Sequence, residues 1–328
     1  MRFVSVANGQ PDGRLHLVSR DHRRVVPAAA ATTLQAALDD WLRLASELQR
    51  QADAFARGPL EGELPLAKVR LLAPLPRAWQ WLDASAFPSH GELMHRAFGF
   101  AATHPEGKPL MYQGVSDRFL GPDEPVPFGD LRDDIDFEGE FGVICDAIPQ
   151  GADASQCREH IRLLVQINDW SLRRLGPLEM QSGFGMLQCK PRCSLAPVAV
   201  TPDELGDRWH EYRIDLPLEI RLNGEIFGRA RGGAMAYGFD ELLAHAAYSR
   251  DLVAGTVLGS GTVANAEWRE VGSSCLSERR SIEVIEHGRP LTPYLTFGDR
   301  VRMEACDAQG GPLFGAIDQE VVALGAQR

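Results

Sequence analysis

Near the middle of the chain, acidic and apolar side chains alternate through the nine residues from Ile135 to Val143. Because successive side chains of a β-strand point to opposite faces, one face would carry Asp136, Glu138 and Glu140, and the other face apolar residues. Neighbours on one face lie roughly 7 Å apart, so three like charges would repel one another. A solvated acidic edge strand is the alternative, although such strands normally mix lysine or threonine with their acids. The pattern therefore favours a strand whose carboxylates bind a cation.

A second acidic position follows a mostly apolar strand-like segment, Leu163–Ile167. Asp169 would lie just beyond the end of this strand, where ligands commonly bind, although alone it is more typical of an Asx turn or a helix cap. Arg173 lies four residues further on and could reach back to the same site. Lys190 stands among uncharged residues, which is compatible with a desolvated lysine, but a lysine is more often at the surface. These residues are candidates only in combination.

Asp83 and His90 lie seven positions apart around a turn that contains Pro88. Such a turn could direct both side chains into one cavity. An isolated histidine is more often structural or exposed, and the pattern leaves both interpretations open.

Charge and cysteine content exclude several classes of protein. The formal net charge of −11 argues against nucleic-acid binding, since phosphates require a basic surface. We expect neither a secretory signal nor a membrane span, because no apolar run approaches the ~18 residues that a span requires. Six scattered cysteines favour reduced thiols in the cytoplasm over a disulfide framework. Cys189 and Cys193 lack the second pair or histidine cluster of a structural zinc site.

Residues 1–72 are predicted to form a small N-terminal α+β domain, separated from residues 73–328 by the Pro-containing joint at Ala73–Pro76. The predicted strands of this domain are Arg2–Ala7, Arg14–Val18 and Lys68–Leu72. Between the second and third strands, we predict a helix that is capped by Thr33 and ends at Gly58.

The remainder is predicted to be mainly β with some α. Strand-like segments dominate, with a hairpin turn at Asn223-Gly224. The predicted strands are Arg213–Leu222, Ser281–Ile285 and Asp299–Met303, and the predicted helices are Phe239–Ser249 and Ser155–Leu164.

From Trp81 onward the chain resembles the fumarylacetoacetase (fumarylacetoacetate hydrolase) superfamily. The resemblance is carried by six segments that occur in family order at compatible spacing: Tyr112-Gln113-Gly114, Asp136–Glu140, Asn168–Arg173, Lys190, Leu222–Glu225 and Gly259–Thr262. One such segment would be weak, whereas six in order are specific.

This resemblance implies a fumarylacetoacetase-like mixed β-sandwich roll, usually a homodimer. It implies a metal site made by Glu138, Glu140 and Asp169, joined by Asp83, which lies seven residues before a catalytic His90 as in fumarylacetoacetase itself. Tyr112 and Thr262 match substrate-binding positions. All-oxygen ligation suits Mg²⁺ first, with Ca²⁺ or Mn²⁺ as alternatives, and disfavours zinc.

Two positions depart from the family pattern. The glutamate that orients the histidine should lie about fourteen residues beyond Thr262, where this chain has Leu276; Glu278, two residues later, is our candidate. Glu278 could also be an ordinary surface glutamate within the charged run that Arg279 continues. A family glutamine is replaced by Gly176, so a contact to substrate could be missing.

The resemblance implies a hydrolase of carbon–carbon bonds in acylpyruvates or β-diketo acids, a small-molecule oxo-acid substrate, and most directly the cleavage of fumarylacetoacetate to fumarate and acetoacetate. His90 would act as general base, Glu278 would orient it, and Lys190 and Arg173 would offset negative charge. The alternative is an oxo-acid decarboxylase or a 2-oxopent-4-enoate hydratase or isomerase that uses the same metal site. A non-catalytic protein that senses an oxo acid is a third hypothesis, against which the retained His90 and Lys190 argue.

Overall fold

A computed structural model of the protein describes residues 1–98, 107–307 and 309–325. The strands in this part of the chain are β1 (Arg2–Val6), β2 (Arg14–Val18), β3 (Arg24–Pro27), β4 (Leu64–Pro65), β5 (Trp81–Ser85), β6 (Leu110–Gly114), β7 (Val126–Phe128), β8 (Ile135–Asp136), β9 (Gly139–Cys145), β10 (Ile161–Asn168), β11 (Ser171–Leu172), β12 (Ser194–Leu195), β13 (Ala199–Val200), β14 (Trp209–His210), β15 (Arg213–Ile214), β16 (Pro217–Leu222), β17 (Glu225–Arg231), β18 (Thr256–Gly259), β19 (Arg300–Glu304) and β20 (Ile317–Ala323).

The α-helices are α1 (Leu34–Asp39), α2 (Trp41–Arg57), α3 (Pro88–Phe98), α4 (Ala154–Arg158), α5 (Gly176–Ser182), α6 (Phe239–Ala246), α7 (Trp268–Val271) and α8 (Leu276–His287). Short 3₁₀ turns occupy Leu66–Lys68, Leu131–Asp133, Pro202–Arg208 and Gly232–Ala234. None of the described helices is long and apolar enough to cross a membrane. All six cysteines are free thiols.

One eleven-stranded sheet runs through the whole molecule in the order β4-β3-β2-β1-β13-β10-β9-β18-β5-β6, with β12 also paired to β10. The N-terminal strands join it where β1 pairs antiparallel with β13, at Arg2 opposite Val200. Within this path β18 and β5 are parallel, and the neighbours on either side are antiparallel. The sheet therefore extends without interruption across the predicted boundary near residue 73, and that boundary stays a prediction.

A second, five-stranded sheet has the order β17-β16-β19-β20-β7. It packs on the first through apolar side chains and through the buried Gln166 of β10, whose amide donates to the carbonyl of Met303 (3.0 Å) and accepts from the backbone N–H of Ala305 (2.9 Å). At Gly139 an added Cβ would lie 2.5 Å from Ile220 Cδ1, so the two sheets are close together there. The β-rich mixed fold with several packed sheets confirms the predicted fold class.

Several local predictions are confirmed. The Thr33 hydroxyl caps α1 by accepting from the backbone N–H of Ala36 (3.1 Å). Asn223 and Gly224 both have positive φ, 52° and 87°, as a two-residue hairpin turn between β16 and β17 requires. The helix after Thr33 is nevertheless two helices, because Asp40 leaves the helical region with φ −134° and ψ 38°.

Three predicted elements are wrong. Ser281–Ile285 is part of α8, not a strand, because caps and partners from distant segments hold this β-prone sequence in a helix. The helix predicted for Ser155–Leu164 ends at Arg158, and the apolar residues that follow belong to β10. The segment Lys68–Leu72 forms a 3₁₀ turn and a single bridge from Leu71 to Val6 instead of a strand.

Candidate metal centre

Four buried carboxylates converge at the centre of the large sheet. One oxygen from each of Asp83, Glu138, Glu140 and Asp169 lies within 4.8 Å of the others, and all four side chains are buried. The structure thus brings together the four residues for which the sequence predicted metal ligation. Their role as ligands is a proposal that rests on this geometry.

Strand pairing brings the four acids together from distant parts of the chain. In β9, Glu140 lies opposite Ile167 of β10, so Asp169, two residues beyond, follows close by. On its other edge β9 pairs with β18, which in turn pairs with β5 at Gly259 opposite Asp83. Glu140 and Asp83 therefore belong to strands on either side of Gly259.

Gly259 supplies the space that these carboxylates occupy. A Cβ at this position would lie 2.5 Å from Trp81 Cη2, 2.7 Å from Asp83 Oδ1 and 2.9 Å from Glu140 Oε2, closer than real Cβ contacts. Gly261, with φ +78°, then donates its backbone N–H to Asp83 Oδ1 at 3.1 Å. Glycine at 259 is therefore required by the Trp81 ring and by the two carboxylates.

The predicted acidic face is wrong for Asp136. The strand is interrupted after Asp136 and resumes at Gly139, so the simple alternation does not hold. Asp136 accepts hydrogen bonds from the backbone N–H groups of Leu276 (2.7 Å) and Ser277 (2.9 Å), at the start of α8, and from Arg173 Nε (2.7 Å). It anchors a helix N-terminus, where a negative charge is favourable, and lies outside the four-carboxylate group.

Mutual repulsion and burial shift the carboxylates away from their ordinary titration. Burial raises the pKa of Asp83 to about 8, and the charge of Asp169 adds to the shift. Burial also raises the pKa of Glu140 well above its usual value, with Asp83 and Asp169 contributing. Both oxygens of Glu140 lack a hydrogen-bond partner. A buried, unpartnered carboxylate is costly, and a bound cation would remove that cost.

Two basic side chains balance part of this charge. Lys190 Nζ donates to Glu138 Oε2 (2.6 Å) and Asp169 Oδ2 (2.5 Å), and Arg173 Nη2 lies 2.6 Å from Glu138 Oε1. Burial alone would raise the pKa of Glu138, but Lys190 and Arg173 outweigh it and hold that pKa below the usual range. The predicted desolvated lysine is thus buried and doubly ion-paired.

Asp169 is the most heavily hydrogen-bonded of the four acids. Its Oδ2 also accepts from the Tyr112 hydroxyl (2.7 Å), and its Oδ1 accepts from the Cys193 thiol (2.7 Å). Tyr112 lies on β6 directly opposite Asp83, which explains its approach to the centre. Sequence reasoning assigned no role to Cys193, because its spacing of four residues from Cys189 predicted no metal site.

The donor set fits a hard divalent cation. Four carboxylates offer only oxygen ligands, as Mg²⁺, Mn²⁺ and Ca²⁺ prefer. The unpartnered oxygens of Glu140 are available for such an ion, whereas Asp169 and Glu138 already share their charge with Lys190.

His90 and Glu278 meet beside this centre, on two helices that pack together. Leu93 of α3 packs with Trp268 and with Ile282 of α8. A ring nitrogen of His90 and a carboxylate oxygen of Glu278 consequently lie within 4.8 Å of each other. Burial lowers the pKa of His90 to about 4 and raises that of Glu278 to about 8, so the imidazole is neutral near pH 7.

Thr262 is buried just after Gly261, on the loop that follows β18. Gly176 begins α5, and an added Cβ there would meet nothing within 4 Å, so the replaced glutamine leaves open space. Substrate contacts for Tyr112 and Thr262 stay proposals.

Glu179 is a residue that the sequence did not single out. Its carboxylate accepts hydrogen bonds from three consecutive backbone N–H groups, those of Leu187 (2.8 Å), Gln188 (2.8 Å) and Cys189 (3.1 Å). These residues immediately precede Lys190. The carboxylate therefore fixes the backbone from which the lysine enters the centre, an arrangement that nothing in the local pattern signals.

Comparison with known proteins agrees with this geometry. The profile of the fumarylacetoacetate (FAA) hydrolase C-terminal family matches residues 80–322, and that of the fumarylacetoacetase N-terminal domain 2 matches residues 1–77. No protein in a curated collection matches the chain.

Solved structures of similar fold extend over nearly the whole chain. A putative HpcE protein from Mycobacterium smegmatis has a TM-score of 0.69 at 21% identity, covering 99% of this chain and 100% of its own. A probable 2-hydroxyhepta-2,4-diene-1,7-dioate isomerase from Mycobacterium abscessus has a TM-score of 0.66 at 19% identity, covering 98% of each chain. Maleylpyruvate hydrolase from Sphingobium sp. SYK-6, in complex with manganese(II) and pyruvate, has a TM-score of 0.65 at 16% identity, covering 98% of this chain and 99% of its own. At these identities the likeness shows the fold.

We expect Gly259→Ala to weaken cation binding at the four-carboxylate centre. The added methyl group would displace the Trp81 ring together with Asp83 and Glu140, and displacing groups around a metal typically costs about 10–100-fold in affinity. Titration with Mn²⁺, followed by calorimetry, measures the change. Gly129→Ala, where a Cβ meets nothing within 4 Å, is the matched control. Equal affinity in the two variants would contradict this account of Gly259.

We expect Glu179→Gln to loosen the segment before Lys190. Hydrogen bonds to a charged group contribute about 1.5–3 kcal/mol, so the amides of Leu187, Gln188 and Cys189 should exchange with solvent roughly 10–100-fold faster. Hydrogen-exchange mass spectrometry of this segment gives the rate. Glu47→Gln, at an exposed position of α2, should leave it unchanged. Unaltered exchange in Glu179→Gln would show that the three hydrogen bonds do not hold the segment.

Proposed function

The chain belongs to the fumarylacetoacetate hydrolase family, and from this premise we propose that it is a metal-dependent hydrolase of carbon–carbon bonds in acylpyruvates or β-diketo acids. Enzymes of the family bind a divalent metal and include hydrolases, isomerases and decarboxylases. The observation that carries the proposal is the His90–Glu278 pair beside four converging carboxylates. Fumarylacetoacetate, cleaved to fumarate and acetoacetate, is the first substrate to test.

Asp83, Glu138, Glu140 and Asp169 would hold the cation, with Mg²⁺ first and Mn²⁺ or Ca²⁺ as alternatives. When bound there, a divalent cation would act as a Lewis acid and a template for the two oxygens of a 1,3-dicarbonyl group. The maleylpyruvate hydrolase of similar fold, which was solved with manganese(II) and pyruvate, supports this combination of ion and oxo acid.

His90 would remove a proton from the attacking water. A general base must be unprotonated at the working pH, and burial keeps the imidazole neutral by lowering its pKa to about 4. Glu278, within 4.8 Å, would orient the ring. No hydroxyl or thiol of the protein is needed as a nucleophile.

Lys190 and Arg173 would stabilise negative charge that develops on the substrate. Both side chains are held in place before substrate binds, Lys190 by two carboxylates and Arg173 by Asp136 and Glu138. Charges that are fixed in advance require no rearrangement during the reaction, which makes their stabilisation effective. Tyr112, on β6, and Thr262, on the loop after β18, would contact the substrate.

A hydratase or isomerase acting on a related oxo acid is the second candidate function. Isomerases of Mycobacterium abscessus and Mycobacterium marinum share the fold at 19% and 18% identity, comparable to the hydrolase. Isomerisation and decarboxylation do not add water and have less need of a base that activates it, whereas a hydratase also needs one. The His90–Glu278 pair therefore favours a reaction that adds water, and hydrolysis is the first to test.

The resemblance also implies a homodimer and a cytoplasmic location. Both stay proposals, and neither is required by the chemistry of the site.

We expect removal of divalent cations to abolish turnover, and Mg²⁺ or Mn²⁺ to restore it. Glu140→Gln should be inactive, but its metal-free form should be at least as stable to heat as metal-free wild type, because one repelling charge is gone. Metal should stabilise the wild type by about 2.7 kcal/mol at a concentration 100 times Kd, and it should not stabilise Glu140→Gln. Glu320→Gln, at an exposed position, is the control. Full activity in excess chelator would refute the metal requirement.

We expect His90→Ala to lower kcat by roughly 10²–10⁴-fold with KM largely kept, as the loss of a general base does. Glu278→Gln should also lower kcat, and the double variant should be hardly slower than His90→Ala, because the two residues act as a unit. Glu286→Gln, exposed on the same helix, should be neutral.

The assay follows loss of the diketo-acid enol absorbance over a panel of acylpyruvates and β-diketo acids. Losses that simply add in the double variant would separate Glu278 from His90. Normal hydrolysis by His90→Ala would favour the decarboxylase or isomerase function instead.

A further inference from the structure

A second group of potential ligands lies next to the carboxylate centre and differs from it in chemistry. A ring nitrogen of His90, the thiol sulfur of Cys275 and a carboxylate oxygen of Glu278 all lie within 4.8 Å of one another. The first centre offers oxygen alone, whereas this group offers one nitrogen, one sulfur and one oxygen. The proposed hydrolysis uses His90 and Glu278 but gives Cys275 no part.

Two residues of this group have buried atoms without a hydrogen-bond partner. His90 Nδ1 and Glu278 Oε1 are buried and make no hydrogen bond, and Glu278 and Cys275 are fully buried. Buried polar atoms nearly always have a partner, so the two atoms indicate that a further group binds here. A proton shared between His90 and Glu278 would leave the thiol without a part, and it would not bridge a distance of up to 4.8 Å.

The position of Cys275 favours a thiolate once a cation is present. It is the N-cap of the twelve-residue helix α8, and its sulfur accepts the backbone N–H of Glu278 at 3.2 Å. A helix N-terminus stabilises a negative charge. Burial raises the pKa of this thiol, so without a cation the sulfur keeps its proton.

We propose that His90, Cys275 and Glu278 form a second cation site that selects a thiophilic divalent ion such as Zn²⁺, and that its occupation inhibits the enzyme. Zn²⁺ takes mixed nitrogen, sulfur and oxygen ligands at about 2.0–2.3 Å, which places ligand atoms roughly 3.3–3.8 Å apart in a tetrahedron. The three side chains need only a small closing movement to reach this spacing. Mg²⁺ prefers oxygen, so the two sites would bind different classes of ion.

Binding breaks the S–H bond of Cys275 and the O–H bond of the protonated Glu278, releases both protons to solvent and forms a metal–sulfur and a metal–oxygen bond, without change of oxidation state. A water molecule would complete the tetrahedron. Inhibition follows because the metal takes the imidazole nitrogen that would accept the proton from water. Only the inhibition rests on the proposed function; the binding does not.

The test uses the full chain saturated with Mg²⁺ and titrated with Co²⁺ as a spectroscopic probe, then with Zn²⁺. We expect one equivalent of Co²⁺ to give the near-ultraviolet charge-transfer absorption of a thiolate ligand, and Zn²⁺ to displace it. Cys275→Ser, which keeps an oxygen to cap α8, should lose this absorption and weaken Zn²⁺ binding and inhibition at least about tenfold. Cys193→Ser, which removes the thiol beside Asp169, should keep the absorption.

Absence of the absorption in the wild type, or its persistence in Cys275→Ser, would overturn the site. Zn²⁺ inhibition of equal strength in wild type and Cys275→Ser would place the inhibitory ion elsewhere and overturn the second part of the proposal. If the absorption appears and depends on Cys275 while no diketo acid is hydrolysed, the cation site stands and the proposed function fails.

Discussion

The repulsion among buried carboxylates at the centre of the large sheet governs much of this structure. Glu140 and Asp83 have no room to separate, because their strands are held on either side of Gly259 by backbone pairing. Their charges therefore have to be neutralised locally, by a cation, by a proton or by a basic side chain. Burial raises the pKa of both acids, and the charge of Asp169 adds to the shift in each.

The carboxylates are neutralised unequally, and this difference gives them different roles within the site. Glu138 and Asp169 are paired with Lys190, while both oxygens of Glu140 are left without partners. The paired acids hold the lysine in position, and the unpaired acid offers the strongest incentive for a cation to bind. A site with every acid paired would have bound a metal weakly, and one with none paired would have destabilised the fold.

A small number of contacts joins the sheet to the helices that carry His90 and Glu278. Asp136 is excluded from the carboxylate group and instead binds the first backbone N–H groups of α8 and the guanidinium of Arg173. One aspartate thus fixes both the helix that bears Glu278 and a basic side chain that contacts Glu138. Displacing α8 would move Glu278 and Cys275 together, since both lie in its first turn and cap.

Much of this protein follows from the sequence itself. The turn at Asn223-Gly224 and the cap at Thr33 are local signals, and local interactions determine them. What brought Glu278 to His90, sent Asp136 to a helix N-terminus and made Ser281–Ile285 helical was contact between segments far apart in the chain. The sequence pattern predicts which side chains share a face of one helix or strand. Only packing between elements decides which faces meet, because the free energy that selects among them comes from burial and from hydrogen bonds across long sequence separations.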